Sequence, residues 1–268
     1  MPVQPHLHAR PGKVSEPAPA GLHTLPIGGS RESYIYVPPD YAPATPMPLV
    51  LLLHGAGGSA HDGLRIFLHQ ADQDGLILVA PASKASSWDI IVKGVYGADV
   101  DLADRALAHA FAHYAIDPRK VAVGGFSDGA SYALTLGLAN GDLFTHVIAF
   151  SPGFIAPVEA RDSPRVFISH GTRDTVLPID ACSRRLVPVL RSAEYSLIYH
   201  EFEGGHEIPS DEARFAIDWF ALDEPDASKH LSEPGEMAQP EEDQADPAPI
   251  GTNTTPGAND SAAAAPPA

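Results

Sequence analysis

The sequence contains a single cysteine, Cys182, so no disulfide bond can form within the chain. We expect this cysteine to be buried or inert. The sequence also lacks any apolar run approaching the roughly 18 residues that would suggest a membrane span. Its first twenty residues contain no apolar stretch typical of a secretory signal. Together these absences lead us to expect a soluble, cytoplasmic protein without a membrane span.

Basic residues are scarce in this chain, with 17 Lys and Arg against 34 Asp and Glu and a formal net charge of −17. This balance argues against non-specific binding to nucleic acid. Residues 223–268 are rich in Pro, Ala, Glu and Asp, which predicts a disordered acidic tail. Residues 1–22 are predicted to form a disordered N-terminal segment. One domain with a sizeable core is then expected over residues 23–222.

Short apolar runs alternate with helical stretches through this domain, and we find no internal repeats. Several of the runs are apolar throughout, as expected for strands that are covered on both faces. The alternation predicts an α/β protein with a mostly parallel central sheet and helices on both faces. In such a sheet ligands bind beyond the carboxyl ends of the strands, so the loops that follow the predicted strands are the candidate site.

One of these loops carries a serine between glycines, in the segment "VAVGGFSDGASYALTLGLA". Residues 125–129 match the pattern G-x-S-x-G, with Ser127 at its centre, between a predicted strand and a predicted helix. That setting is typical of a nucleophile elbow, a strained turn that exposes the serine hydroxyl. Side chains at Gly125 and Gly129 would collide in such a turn. The alternative is a glycine-lined turn with a helix-capping serine.

A serine needs an adjacent base, and the base needs a carboxylate that orients it. In a fold of this type the acid and then the histidine follow the serine along the chain. Asp174 follows a predicted strand in "FISHGTRDTVLPID", and His206 follows the next in "YHEFEGGHEIP". Asp180 is a rival acid, although it lies at a predicted helix start. We therefore predict Ser127 as nucleophile, His206 as base and Asp174 as orienting acid.

Acyl transfer also needs two N–H donors for the oxyanion that forms on the substrate carbonyl. The backbone N–H of Asp128, directly after the serine, is one candidate. The loop "HGAGG" at residues 54–58 follows an apolar strand and offers Ala56 as the second, with Gly57 in reserve. A phosphate-binding loop is the alternative, but no Lys-Ser or Lys-Thr pair follows these glycines.

Taken in order, "LLHGAGG", "GFSDGASYALTLGL", "SHGTRDTVLP" and "GGHEIP" resemble the α/β-hydrolase superfamily. Most closely they resemble its phospholipase/carboxylesterase group, which includes acyl-protein thioesterase-like enzymes and relatives of polyhydroxybutyrate depolymerase. The resemblance covers roughly residues 34–220. It implies an α/β-hydrolase fold and a serine esterase that needs no metal or other cofactor. It also assigns the same roles to the residues named above: Ser127, Asp174 and His206 as the triad, and Ala56 and Asp128 as the oxyanion hole.

The predicted strands that end at Phe150 and begin at Val166 lie close together in sequence, which leaves no room for a large lid domain. Trp88, Phe154 and Val176, together with Gly57, are candidates to line the substrate site, since all follow predicted strands. No basic cluster suggests an anion clamp, so the expected substrates are small, uncharged or weakly polar esters. Two alternatives stay open: a thioesterase or depolymerase-like hydrolase of larger acyl groups, and a non-catalytic ligand-binding protein.

Overall fold

The computed structural model describes residues 4–222, and within them eight strands form one sheet. The strands are β1 (Gly21–Thr24), β2 (Tyr34–Val37), β3 (Met47–Leu53), β4 (Ile77–Ala80), β5 (Ile116–Phe126), β6 (His146–Phe150), β7 (Arg165–Gly171) and β8 (Leu197–Phe202). The helices are α1 (Ala60–Arg65), α2 (Leu68–Asp74), α3 (Asp89–Lys93), α4 (Ala98–His113), α5 (Asp128–Ala139), α6 (Ser183–Ser192) and α7 (Ser210–Ala221). The predicted acidic tail lies outside the described residues.

The strands follow the order β1-β2-β4-β3-β5-β6-β7-β8 across the sheet. From β4 to β8 every neighbouring pair is parallel, whereas β1 and β2 form an antiparallel edge. This arrangement confirms the predicted α/β class and its mostly parallel sheet. It also brings the carboxyl ends of the six parallel strands to one edge, where the candidate residues of the site lie.

Helices cover both faces of the sheet because successive strand residues point to opposite sides. Leu51 and Leu53 of β3 belong to a large buried cluster that includes residues of α4, α5 and α6. On the other face, Phe167 of β7 packs its ring against Phe215 and Trp219 of α7. The connection between β6 and β7 spans residues 151–164 and contains no helix or strand, so no lid domain is inserted there.

The N-terminal segment packs on the domain, so the prediction of disorder is wrong for residues 4–22. Leu7 is only 1% exposed, and its N–H donates to the side-chain oxygen of Asn140 over 2.8 Å. The Asp104 carboxylate accepts two further backbone N–H groups of the segment, at 2.6 and 2.8 Å. Composition did not reveal this packing because polar side chains of the domain hold the segment by its backbone groups.

The only cysteine of the chain, Cys182, is buried, and burial raises the pKa of its thiol. Among residues 4–222, none of the helices combines the length and the apolar composition that crossing a membrane would require.

Candidate active site

Ser127 occupies a strained turn between β5 and α5, with φ of 57° and ψ of −120°. A non-glycine residue with positive φ is uncommon, and such strain persists only where the surroundings hold it. Here the Ser127 N–H donates to the Phe150 carbonyl at 2.9 Å, and the Ser127 carbonyl accepts from the Ser131 N–H at 3.0 Å. The backbone is therefore fixed on both sides, as the elbow interpretation of the motif requires.

The two motif glycines are required by close backbone packing. A Cβ atom at Gly129 would overlap the carbonyl oxygen of Leu53, and one at Gly125 would lie 2.7 Å from the same oxygen. At Gly125 it would also collide with the carbonyl group of Gly129. Both glycines thus allow β5, β3 and the start of α5 to approach closely around the serine.

Three loops bring the predicted serine, histidine and aspartate into one hydrogen-bonded chain. The Nε2 atom of His206 lies 2.9 Å from the Ser127 Oγ, and its Nδ1 lies 2.6 Å from the Asp174 Oδ2. Because the carboxylate can only accept, Nδ1 carries the proton and Nε2 accepts from the serine hydroxyl. The rival Asp180 is exposed and binds Arg184 at 2.8 Å.

The Asp174 side chain is fully buried, and its second oxygen is also occupied. Oδ1 accepts the N–H groups of Val176 and Leu177 at 2.9 and 2.8 Å. Burial acts to raise the pKa of this carboxyl, but the hydrogen bonds from His206 and from these two N–H groups outweigh it and hold the pKa below its ordinary value. Asp174 is therefore ionised at neutral pH and can balance a positive charge on His206.

A second histidine, His170 of β7, also faces the Asp174 carboxylate. Its Nε2 lies 3.2 Å from the Asp174 Oδ2 and 2.8 Å from the Leu177 carbonyl oxygen, while its Nδ1 contacts the Ser183 hydroxyl at 2.7 Å. Burial lowers the pKa of His170, so the ring is neutral, and Nε2 carries its proton because both its neighbours are acceptors. Sequence reasoning missed this contact, although His170 stands only four residues before the acid.

The loops that carry the acid and the base are joined by their backbones. The N–H of Arg173 donates to the Gly204 carbonyl, and that of Thr172 to the Phe202 carbonyl, both at 2.9 Å. A Cβ at Gly171 would lie 2.6 Å from the Gly204 oxygen, so the glycine permits this approach. The spacing between Asp174 and His206 is therefore set by the sheet.

The two N–H groups predicted to bind an oxyanion come from separate loops beside Ser127. Ala56 is exposed in the turn after β3, and Asp128 is the first residue of α5, where helical N–H groups lack intrahelical acceptors. Neither N–H has a hydrogen-bond acceptor among residues 4–222. The Gly57 N–H, in contrast, donates to the Ser86 carbonyl at 2.6 Å, so the reserve donor is committed elsewhere.

The predicted cleft wall at Trp88 is wrong, because this residue is completely buried. Its ring stacks on Tyr132 of α5 at 5.2 Å, and its indole N–H donates to the His54 carbonyl at 2.9 Å. Phe154 and Val176 are exposed, by 36% and 64%, on the loops after β6 and β7. Their contact with a substrate stays a prediction.

A cavity of about 400 Å³ opens beside the catalytic candidate His206, on a side that the sequence did not indicate. His206 and Ile208 line it from the loop after β8, and Ile66, His69 and Gln70 line it from the α1–α2 region. Ile66 is buried, whereas His69 is exposed. The cavity therefore has a mixed lining of apolar, polar and charged side chains.

This sheet, with its strained serine turn after β5 and its acid and histidine in later loops, defines an α/β-hydrolase fold. Solved structures agree. The crystal structure of esterase PE8 is 26% identical, with a TM-score of 0.57 over 69% of this chain and 95% of that one. An S-formylglutathione hydrolase from Staphylococcus aureus, at 14% identity, shares the fold with a TM-score of 0.61, over 76% of this chain and 100% of that one.

The chain belongs to the esterase family whose model, described as "Putative esterase", matches residues 26–210. It is 29% identical to "Putative esterase NocK" of Nocardia uniformis subsp. tsuyamanensis, over 63% of this chain and 53% of that protein. It is 31% identical to a poly(3-hydroxybutyrate) depolymerase of Ralstonia pickettii, over 45% of this chain and 28% of that protein. The chain thus spans about half the length of the first relative and less of the second.

Proposed function

We propose that this protein is a serine hydrolase that cleaves carboxylic esters through an acyl-enzyme intermediate. The observation that carries the proposal is the His206 ring, which contacts the Ser127 hydroxyl at 2.9 Å and the buried Asp174 carboxylate at 2.6 Å. Nucleophile, base and orienting acid thereby stand in the order that nucleophilic catalysis requires. Membership of the esterase family supports the same reaction.

In the first half of the reaction the Ser127 oxygen attacks the ester carbonyl carbon, and its proton passes to the Nε2 of His206. The ionised Asp174 stabilises the imidazolium that forms and keeps the ring in place. The tetrahedral intermediate carries its negative charge on the former carbonyl oxygen, where the N–H groups of Ala56 and Asp128 bind it. The N-terminus of α5 adds partial positive charge at the same point.

Collapse of the intermediate breaks the bond to the alcohol oxygen, which takes the proton from His206 and leaves as a free alcohol. A water molecule then gives a proton to His206 and attacks the acyl-enzyme carbonyl. As the second tetrahedral intermediate breaks its bond to the Ser127 oxygen, His206 returns the proton to that oxygen and the carboxylic acid is released. Water is the only co-substrate of the complete reaction.

The cavity beside His206 is best suited to the alcohol part of the ester. His206 delivers its proton to the leaving oxygen, so the alcohol must lie next to the His206 ring during that step. The cavity is lined by this ring, and its volume of about 400 Å³ accommodates a medium-sized group. The acyl group then extends toward the loops after β6 and β7, where Phe154 and Val176 are exposed.

The proposal is tested with p-nitrophenyl acetate and a fluorophosphonate probe on wild type and Ser127→Ala. We expect the wild type to release p-nitrophenol and to be labelled at Ser127, and the variant to do neither. Full turnover by the folded variant would exclude Ser127 as nucleophile. Absence of both turnover and labelling in the wild type would instead favour a non-catalytic ligand-binding role.

Thioesters and larger acyl esters are the second substrate class within the same mechanism. The observation in their favour is the lack of helix or strand in residues 151–164, which leaves the acyl side uncovered by a lid. Rates for matched acetyl, butyryl and octanoyl esters and thioesters separate the two classes. A preference for acetyl esters would support small substrates.

A further inference from the structure

The loop that follows β4, residues 83–88, contacts both peptide segments to which we assign the oxyanion hole. We call this segment the β4 loop. Its residues are buried at Ser83, Ser87 and Trp88, although the segment has no helix or strand of its own. Buried residues in a loop are unusual, since their backbone groups must find partners in the interior. Here some of those partners belong to the turn that carries Ala56.

Three hydrogen bonds join the β4 loop to the turn that carries Ala56. The Trp88 indole donates to the His54 carbonyl at 2.9 Å, and the Ser83 N–H donates to the His54 Nε2 at 3.1 Å. The Gly57 N–H donates to the carbonyl of Ser86 in the loop at 2.6 Å. These bonds flank Ala56 on both sides in the sequence, and its own N–H has no acceptor within the described residues 4–222.

The protonation state of His54 is consistent with this arrangement. Burial lowers the pKa of His54, so the ring is neutral and Nε2 can accept the Ser83 N–H. The proton then lies on Nδ1, which donates to the Gly55 carbonyl at 2.7 Å. That bond fixes the peptide whose N–H belongs to Ala56, because the carbonyl of one residue and the N–H of the next share one planar unit.

A fourth bond reaches the other half of the hole. The Ser87 hydroxyl donates to the Asp128 Oδ2 at 2.6 Å, and Ser87 is only 4% exposed. Hydrogen bonds to a carboxylate are shorter and stronger than those between neutral groups. The Asp128 side chain is thus anchored at the residue whose N–H we assign to the oxyanion.

Arg31 holds the β4 loop against the Ala56 turn. Its Nη1 donates to the carbonyls of Ser83 and Ala85 at 3.2 and 3.0 Å, and its Nη2 donates to the Gly58 carbonyl. A guanidinium can bind several acceptors in one plane, which a lysine cannot do. Arg31 therefore links two loops that adjoin each other only beyond the ends of β3 and β4.

We propose that the β4 loop positions the oxyanion hole, with Ser87 and Arg31 as positioning residues that fix the N–H groups of Asp128 and Ala56 at once. The inference rests on the proposed serine hydrolase function. Neither residue contacts the reacting atoms. Their contribution is to hold two donors at a constant separation, so that no reorganisation is needed when the oxyanion forms.

The test compares wild type with Ser87→Ala in ester hydrolysis and in binding of a trifluoromethyl ketone. The Ser127 oxygen attacks the carbonyl carbon of this ketone, and the adduct carries an oxyanion. Complete loss of an oxyanion donor typically lowers kcat by ~10²–10³, and a displaced donor costs less. We expect kcat to fall about tenfold, KM to stay within about twofold, and the ketone inhibition constant to rise by the same factor as kcat/KM falls. A structural role alone would not produce this matched change.

Ser87→Thr keeps a hydroxyl and should restore most of kcat. If Ser87→Ala fails to fold, Ser87→Cys replaces it, because the thiol has similar size but is a weak donor. The control is Tyr199→Phe, which removes another hydroxyl-to-carboxylate bond, to Glu201 at 2.7 Å on β8, and should leave kcat and the inhibition constant unchanged.

A folded Ser87→Ala or Ser87→Cys variant with wild-type kcat and ketone affinity overturns the inference. Equal losses in the Tyr199→Phe control also overturn it, since the effect would not be specific to the oxyanion hole. Turnover by Ser127→Ala, in contrast, refutes the proposed function itself. The two failures are therefore distinguishable in one set of assays.

Discussion

Acidification should destabilise this protein through one buried histidine, His146, at the start of β6. Its side chain is enclosed by the rings of Trp219 and Phe220, at 5.0 and 4.9 Å between centroids. Its Nε2 faces the Arg165 guanidinium at 3.4 Å, and its Nδ1 contacts the Thr145 hydroxyl at 2.8 Å. Burial, followed by the positive charges of Arg165 and Lys120, lowers the pKa of His146 from 6.5 to about 3.

The direction of this pH effect follows from proton binding at His146 in the folded and unfolded states. Below pH 6.5 the unfolded chain binds a proton at His146 and the folded protein does not, so the free energy of unfolding falls as the pH falls toward the folded pKa. Between pH 7 and pH 5 this linkage amounts to about 2 kcal/mol for one histidine. Since total stability is typically ~5–15 kcal/mol, the loss is measurable.

The perturbation that isolates this contribution is His146→Gln. Urea unfolding followed by circular dichroism at pH 7 and pH 5 gives the loss of unfolding free energy in each protein. We expect wild type to lose about 2 kcal/mol more than the variant, whereas the other titrating groups contribute equally to both and cancel. Between pH 8 and pH 9 the two should change in parallel. Equal losses between pH 7 and pH 5 would refute the reasoning.

Three further predictions concern the site. His170→Phe removes the Nε2–H that donates to the Leu177 carbonyl and lies 3.2 Å from the buried Asp174 carboxylate, and it should lower kcat a few-fold at unchanged KM, because a proton shared in this way stabilises the carboxylate by less than the ~1.5–3 kcal/mol of a full charged hydrogen bond; an unchanged kcat in the folded variant would contradict this. Gly129→Ala forces a methyl group into the Leu53 carbonyl and should abolish soluble expression or activity, so an active variant of normal melting temperature would count against the steric argument. Gln70→Trp fills the cavity beside His206 and should lower kcat/KM for benzyl esters more than for methyl esters; equal effects on both would contradict the assignment of this cavity to the alcohol part of the ester.

The elbow and its partner loops could be predicted because each signal is local. A G-x-S-x-G motif directly after an apolar strand has few alternative structures, and the chain order of acid and histidine, together with their positions after predicted strands, favours Asp174 and His206 over rivals such as Asp180. The parallel sheet follows from the alternation of strands and helices. These elements depend on neighbouring residues in the sequence, which a single chain displays.

The prediction of the site from the sequence failed where the burial of a residue depends on other elements of the fold. Trp88 follows a strand in the same way as the candidate triad residues, but its ring is enclosed because Tyr132 of α5 stacks on it. His170 lies within a strand, and its closeness to Asp174 in the sequence does not reveal that its ring is held by Leu177 and Ser183 from the following loop and helix. Only the folded arrangement reveals such contacts.

The docking of the N-terminal segment has a consequence for the order of events during synthesis. The contact between Leu7 and Asn140 joins residues that are 133 positions apart. At a translation rate of ~5–20 residues per second, the ribosome needs roughly ten seconds to add the residues that separate them. The N-terminal segment is therefore synthesised well before its partner Asn140 and can be protected by that contact only afterwards.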